Sequence, residues 1–93
     1  MKAAVEMTSE TLRDWRDHTA AALAAAGMDE ESAADEALFI LTEVTGRNRA
    51  WYFTHAAEKV YDCFPEAVRE QLTDCVRQRA ARMPFAYIFG HRE

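Results

Sequence analysis

Residues 29–46 read DEESAADEALFILTEVTG, and this stretch decides the fold. Asp29 has the short acceptor side chain of a helix N-cap. Glu30 and Glu31 follow where the positive end of a helix dipole favours carboxylates, and Gly46 supplies a residue that ends a helix at little cost. Between these signals Ala34, Ala37, Leu38, Leu41 and Val44 recur at three- and four-residue steps, and Phe39 and Ile40 widen the apolar face. A helix apolar over most of its circumference is one that others surround, so this segment is expected at the centre of a helical bundle.

The flanks carry the same period. Upstream, Leu12, Trp15, Thr19, Leu23 and Ala26 form a stripe with Arg13, Asp14, Arg16 and Asp17 between them. That helix is expected to start near Thr8 or Ser9, with Glu10 at its positive end and Asp14 and His18 as a solvated pair four apart, and to stop at Gly27. Downstream, Asn48 suits the cap of a short helix carrying Trp51, Tyr52, Phe53 and His55. Pro65 suits the first turn of another helix, whose stripe is Val68, Leu72, Cys75, Val76 and Arg79 or Ala80. Glu66 and Glu70 near the start of that helix, and Arg77, Arg79 and Arg82 near its end, match the dipole, and Pro84 closes it. No alternation of strand length occurs, although Phe85 to Phe89 reads equally as a short turn or an edge strand without a partner. The expected class is all-α, a small bundle of four to five helices in an up-and-down or orthogonal arrangement.

Composition narrows the function. The 93 residues suffice for one small domain, and 49% hydrophobic and 29% charged residues with three Gly and two Pro exclude a disordered chain. A net charge of -5 argues against nucleic acid as a partner, since a phosphate binder needs a basic surface. Acidic residues crowd the first half, whereas most arginines fall later. Cys63 and Cys75 are too few and too far apart for a zinc site or a disulfide framework, and as buried reduced thiols they suit a cytoplasmic setting. No apolar run approaches the roughly 20 residues of a membrane span. Ser9 and Ser32 both fall where helix caps belong and outside any nucleophile elbow; Gly27, Gly46 and Gly90 form no phosphate loop; His18, His55 and His91 are scattered. No catalytic, cofactor or metal residue is therefore assigned. The run Arg47-Asn48-Arg49-Ala50-Trp51-Tyr52-Phe53 interleaves cations with aromatics, which makes Arg47, Arg49 and Trp51 candidates for a partner surface. On the other reading of the same run, Trp51 with His55, or Tyr52 with Ala56, faces the core.

The C-terminal residues add a resemblance. Arg79, Pro84, Tyr87, Ile88, Gly90 and Glu93 stand in the segment RAARMPFAYIFGHRE, which resembles the end of the helical N-terminal domain of the release-factor glutamine methyltransferases. There the pattern is Arg, a few residues, Pro, two residues, Tyr-Ile, one residue, Gly, two residues and Glu. Upstream, a helix ending in Ala-Ala-Gly, then Asp35, Glu36, Ala37 and Leu38 opening an apolar helix that stops at Gly46, is similar to this family too. Met83 and Phe85 depart from it, standing where members often have an acidic residue and Leu.

The resemblance implies a domain that precedes a catalytic α/β domain. Members use S-adenosylmethionine to methylate the glutamine side chain in the Gly-Gly-Gln motif of class I peptide release factors. It implies that residues 1–83 are the substrate-recognition domain and 84–93 the start of a hinge, with the release factor and the catalytic domain as partners. The family's Gly-rich cofactor motif and Asn-Pro-Pro-Tyr motif have no counterpart in the chain, so no catalytic or cofactor-binding role carries over. The fragment is expected to hold no cofactor and to be non-catalytic alone. Two other readings of the residues remain open: a free-standing helical adaptor that binds a protein through its aromatic segment, and a small nucleic-acid binder using Arg47 to Tyr52.

Overall fold

The structure, a computed structural model, describes residues 10–89. Six helices follow in order: α1 (Leu12–Ala25), α2 (Glu30–Thr45), α3 (Arg49–His55), α4 (Val60–Cys63), α5 (Glu66–Ala80) and α6 (Phe85–Ile88). The all-α bundle is as expected. The three long helices α1, α2 and α5 pack against one another, and α4 and α6 are single turns laid on α5. Among the described residues there is no strand, only an isolated bridge between Thr11 and Lys59.

Helix α2 is the centre that its apolar circumference predicts. Ala33, Ala37, Leu38 and Ile40 expose no surface and Leu41 almost none. Ala33 rather than Ala34 is the buried alanine of its first turns, because it lies one four-residue step before Ala37 and two before Leu41. The Asp29 carboxylate accepts from the N–H groups of Glu31 and Ser32 at 3.2 and 3.3 Å, so Ser32 is a capped residue and not a cap. Gly46, at φ 78°, ends the helix in the left-handed conformation.

Helix α1 starts at Leu12, and Thr8 and Ser9 lie outside the described residues. Its cap is Thr11, in a reciprocal pair: the hydroxyl accepts from the Asp14 N–H at 3.0 Å and the Asp14 carboxylate from the Thr11 N–H at 3.2 Å. The first two amides of the helix, Leu12 and Arg13, donate to the carbonyls of Glu58 at 2.9 Å and Ala56 at 3.0 Å, so a distant segment completes the cap. Glu10 precedes the helix and takes His18, its Oε2 lying 2.7 Å from His18 Nδ1, because Asp14 is already engaged by Thr11. The buried face of α1 is the expected one, Leu12, Trp15, Thr19 and Leu23.

Asn48 caps α3, its Oδ1 accepting from the Trp51 N–H at 2.8 Å. The extra turn α4 escaped the periodicity because four residues cannot display a period of 3.6. Its placement comes from outside, through Val60 N–H donating to the Glu10 carbonyl at 2.9 Å. Pro65 is the N-cap of α5, one position earlier than expected, and Leu72 and Cys75 are that helix's buried residues.

The end of α5 differs from expectation. The helix stops at Ala80 through a Schellman motif, before Pro84 is reached: Arg82 N–H donates to the Arg79 carbonyl at 2.9 Å and Met83 N–H to the Gln78 carbonyl at 3.1 Å. The left-handed position is held by Arg82 at φ 72°, where glycine is usual. Helix α1 ends in the same motif with Gly27 at φ 110°. The two ends meet, Arg82 Nη1 donating to the Ala26 carbonyl at 3.1 Å.

Candidate functional site

The candidate site is the surface built by the segment that follows α5. Pro84 is the N-cap of α6, and the apolar residues Phe85 to Phe89 form one helical turn, not an edge strand. The Tyr87 and Ile88 N–H groups donate to the Pro84 carbonyl at 3.0 and 3.2 Å, and Phe89 N–H to the Phe85 carbonyl at 2.9 Å. A four-residue helix has no stability of its own, so packing must hold it. Phe39 of α2 supplies that packing. Its ring meets Phe85 edge-on at 5.0 Å and Phe89 edge-on at 6.0 Å, while Phe85 and Phe89 stack at 5.6 Å. This explains an otherwise awkward residue, since Phe39 remains 42% exposed on a helix whose neighbours are buried.

Arg79 fastens the turn. Its Nε and Nη2 donate to the two carboxylate oxygens of Glu36 at 2.7 and 3.1 Å, its Nη1 donates to the Met83 carbonyl at 3.0 Å, and its guanidinium lies 4.4 Å from the centroid of the Phe85 ring. The fork geometry is one that arginine can make and lysine cannot. The hydrogen bonds that Arg79 donates to Glu36 hold the Arg79 pKa above its ordinary value, against the opposing effect of partial burial. Tyr87 points away from this cluster and is 76% exposed, whereas Ile88 and Phe89 are half-buried. Beside them lies an open groove of about 320 Å³, lined by Val44, Cys75, Ile88 and Phe89 together with polar side chains of α2 and α5. Gly90 and Glu93, the remaining residues of the hinge segment, lie outside the described residues.

The second candidate surface is the corner around α3. Arg47 and Arg49 are exposed, and the Arg47 guanidinium lies 5.1 Å from the Trp51 ring. Trp51 is half-buried and engaged internally, stacked on His55 at 4.3 Å and tilted against Phe64 at 5.7 Å. The core position of this helix belongs to Tyr52, with Ala56 four residues on. The outward aromatic is Phe53, 58% exposed, four residues after Arg49 and so on the same face.

The structure therefore gathers Arg79, Pro84, Tyr87 and Ile88 at one end of the bundle and adds Glu36 and Phe39, which sequence reasoning did not assign to a site. Phe39 carried a signal, as an aromatic widening an apolar helix face. Glu36 stood only within the family resemblance, and its pairing with Arg79 carried no local signal, because the two are 43 residues apart. Arg69 was missed too: it donates to the Phe64 carbonyl at 2.6 Å and lies over the Tyr61 ring at 4.3 Å, joining α4 to α5.

Both thiols are held in the protonated form. Burial pushes Cys75 up to about 11, and burial with the nearby Glu58 carboxylate raises Cys63. Among the described residues no three His, Cys, Asp or Glu side chains come together as a metal site would require, and no helix is long and apolar enough to cross a membrane.

Comparison with curated proteins and with solved structures found no significant match. Comparison with protein families did: residues 14–90, from the first turn of α1 to just past the aromatic turn, match the PrmC N-terminal domain. The matched region takes in both long-helix ends, the Glu36–Arg79 pair and the turn that Phe39 covers, and the chain belongs to the PrmC N-terminal domain family.

Proposed function

We propose that the chain is the substrate-recognition domain of a protein-glutamine methyltransferase. In this reading it holds a class I peptide release factor in the cytoplasm while a catalytic domain, using S-adenosylmethionine, methylates the glutamine of the Gly-Gly-Gln motif. The observation that carries the reading is the family match over residues 14–90, which agrees with the motif Arg79, Pro84, Tyr87, Ile88. The physical rationale is that a protein substrate is large compared with the amide that reacts. Binding energy gathered far from that amide orients it and lowers the entropic part of the barrier. A small, rigid helical bundle suits that task.

The surface we assign to the release factor is the α3 corner, Arg47 and Arg49 with Phe53 in the place first given to Trp51. Arginine and exposed aromatic side chains dominate protein interfaces, and Trp51 is already engaged with His55 and Phe64. The testing experiment compares the methyltransferase with and without this domain on two substrates, the intact release factor and a short Gly-Gly-Gln peptide. Loss of the domain is expected to raise KM for the factor at least tenfold and to leave kcat/KM for the peptide unchanged. An unchanged KM for the factor, or an equal loss on both substrates, would overturn the recognition role.

A further inference from the structure

The Arg79 side chain makes more long-range contacts than a helix end requires. The carbonyls at the end of α5 are already met by the Schellman hydrogen bonds of Arg82 and Met83, so Arg79 is not needed to cap its helix. Its fork instead spans three elements: Glu36 in the middle of α2, the Met83 carbonyl before the turn, and the Phe85 ring inside it. The Arg79 and Glu36 side chains are 21% and 24% exposed, and no other ion pair among the described residues links α2 to α5. The turn it holds has only three internal hydrogen bonds and one aromatic neighbour on the bundle, Phe39. Without the fork, α6 would keep the packing of Phe85, Ile88 and Phe89 on the core and on Phe39, but would lose the bidentate tie that runs through Arg79 to α2.

We infer that Arg79 is a positioning residue, fixing the direction of the Phe85–Ile88 turn relative to α2 and thereby the orientation of whatever domain that turn leads to. The inference rests on the reading above, in which the turn leads to a catalytic domain. In that setting the α3 corner and the catalytic centre must face one substrate at once, and an effective concentration near its maximum requires a connection of defined direction. A lysine at position 79 keeps the charge and loses the bidentate geometry, so it isolates direction from electrostatics.

Two measurements test this. The first is hydrogen exchange on the full chain, wild type against Arg79→Lys and Glu36→Gln. The amides of Tyr87, Ile88 and Phe89 are expected to exchange at least tenfold faster in both variants, with the amides of Leu38 to Leu41 unchanged. Exchange that is unchanged at 87–89, or that accelerates equally in α2, would overturn the role given to the Glu36–Arg79 fork. The second uses the methyltransferase carrying Arg79→Lys. KM for the release factor is expected to rise at least threefold, while kcat and KM for the Gly-Gly-Gln peptide stay as in wild type, a split that simple destabilisation does not produce. If deleting the domain raises KM for the factor but Arg79→Lys does not, positioning is wrong and recognition stands. If deletion itself leaves KM unchanged, recognition fails, while the exchange result still decides whether the Glu36–Arg79 fork holds the turn.

Discussion

Replacing Arg82 by Gly and by Ala separates two opposing effects at the end of α5. Arg82 sits at φ 72°, where a side chain with a Cβ is disfavoured relative to glycine by about 1 kcal/mol. Against that, its Nη1 donates to the Ala26 carbonyl at 3.1 Å, placing a cation at the C-terminus of α1. An exposed bond of this kind and its dipole interaction together contribute about 1 kcal/mol. Arg82→Ala loses the bond and keeps the strained backbone, so it should destabilise by about 1 kcal/mol. Arg82→Gly loses the bond and relieves the strain, so it should come out near zero. The difference between the variants, about 1 kcal/mol, corresponds to about 4–8 °C in Tm for a domain of this size. Urea unfolding followed by circular dichroism at 222 nm measures it directly. A third variant probes the contact from the other side, since a Cβ on Gly27 would come within 3.1 Å of Arg82 Nη1 in addition to straining φ 110°. Gly27→Ala should therefore cost more in the wild type than in an Arg82→Gly background. If Arg82→Ala is as stable as Arg82→Gly, or the two sites combine additively within about 0.3 kcal/mol, the account of this helix end is wrong.

Other perturbations follow from the same geometry. Leu38 exposes no surface at the centre of the core, so Leu38→Ala should cost about 2–5 kcal/mol, a large part of the roughly 5–14 kcal/mol a domain of this length has; a loss below about 1 kcal/mol in the same urea assay would displace α2 from the centre. The Cys75 thiol is raised from 9.0 to about 11 by burial, so the unfolded chain gives up this proton first as pH rises. Stability should therefore decline between pH 9 and 11, and Cys75→Ala should flatten that slope; equal slopes would show that other groups set it. The same burial predicts that a thiol reagent at neutral pH labels half-exposed Cys63 before Cys75, as read by peptide mass spectrometry. The Asp14 carboxyl lies below its ordinary 3.8 because the Thr11 N–H and hydroxyl hydrogen-bond to it. Its stabilising effect is present above that value and lost as pH falls through the lower folded-state pKa, so Asp14→Asn should weaken the acid-side decline in stability. An identical acid limb in the two proteins would remove the reciprocal cap from the account.

The parts of this fold that the sequence discloses are those whose causes are local. Helix α2 could be bounded from Asp29 and Gly46 alone, because its cap and its stop act within one turn, and its apolar residues demand a central place wherever the neighbours lie. The start of α1 is different in kind. Leu12 and Arg13 find their acceptors at Glu58 and Ala56, more than forty residues on, although Thr11 followed by Asp14 three later was a local sign of the cap. The turns α4 and α6 are too short to carry a period, and each exists because something else holds it: the Glu10 carbonyl for the first, Phe39 and Arg79 for the second. The site divides the same way. That Tyr87, Ile88 and Phe89 need cover or a partner follows from their chemistry, but that Glu36 anchors Arg79 follows only from the packing of α2 on α5.

Arg82 shows what a broken local rule can mean. Helix-end statistics put glycine at its position, and by those statistics Pro84 was the better stop. A residue that disobeys its local preference is held by a tertiary contact strong enough to override it, and here that contact is the Ala26 carbonyl. Arg79 and Arg82, three residues apart, thus tie one helix end to two different helices, Arg79 to α2 and Arg82 to α1. The last turn of α5 is fixed against both other long helices immediately before the chain enters the aromatic turn. A domain that serves as a platform for another needs rigidity at that point more than anywhere else, because an angular error there is multiplied by the distance to the reacting atom. In the proposed recognition role, the arginine pair would act through direction rather than charge. If the chain is the recognition domain proposed above, paired Arg→Lys changes at 79 and 82, which preserve every charge, should impair methylation of the intact factor more than any single exposed charge reversal on α1.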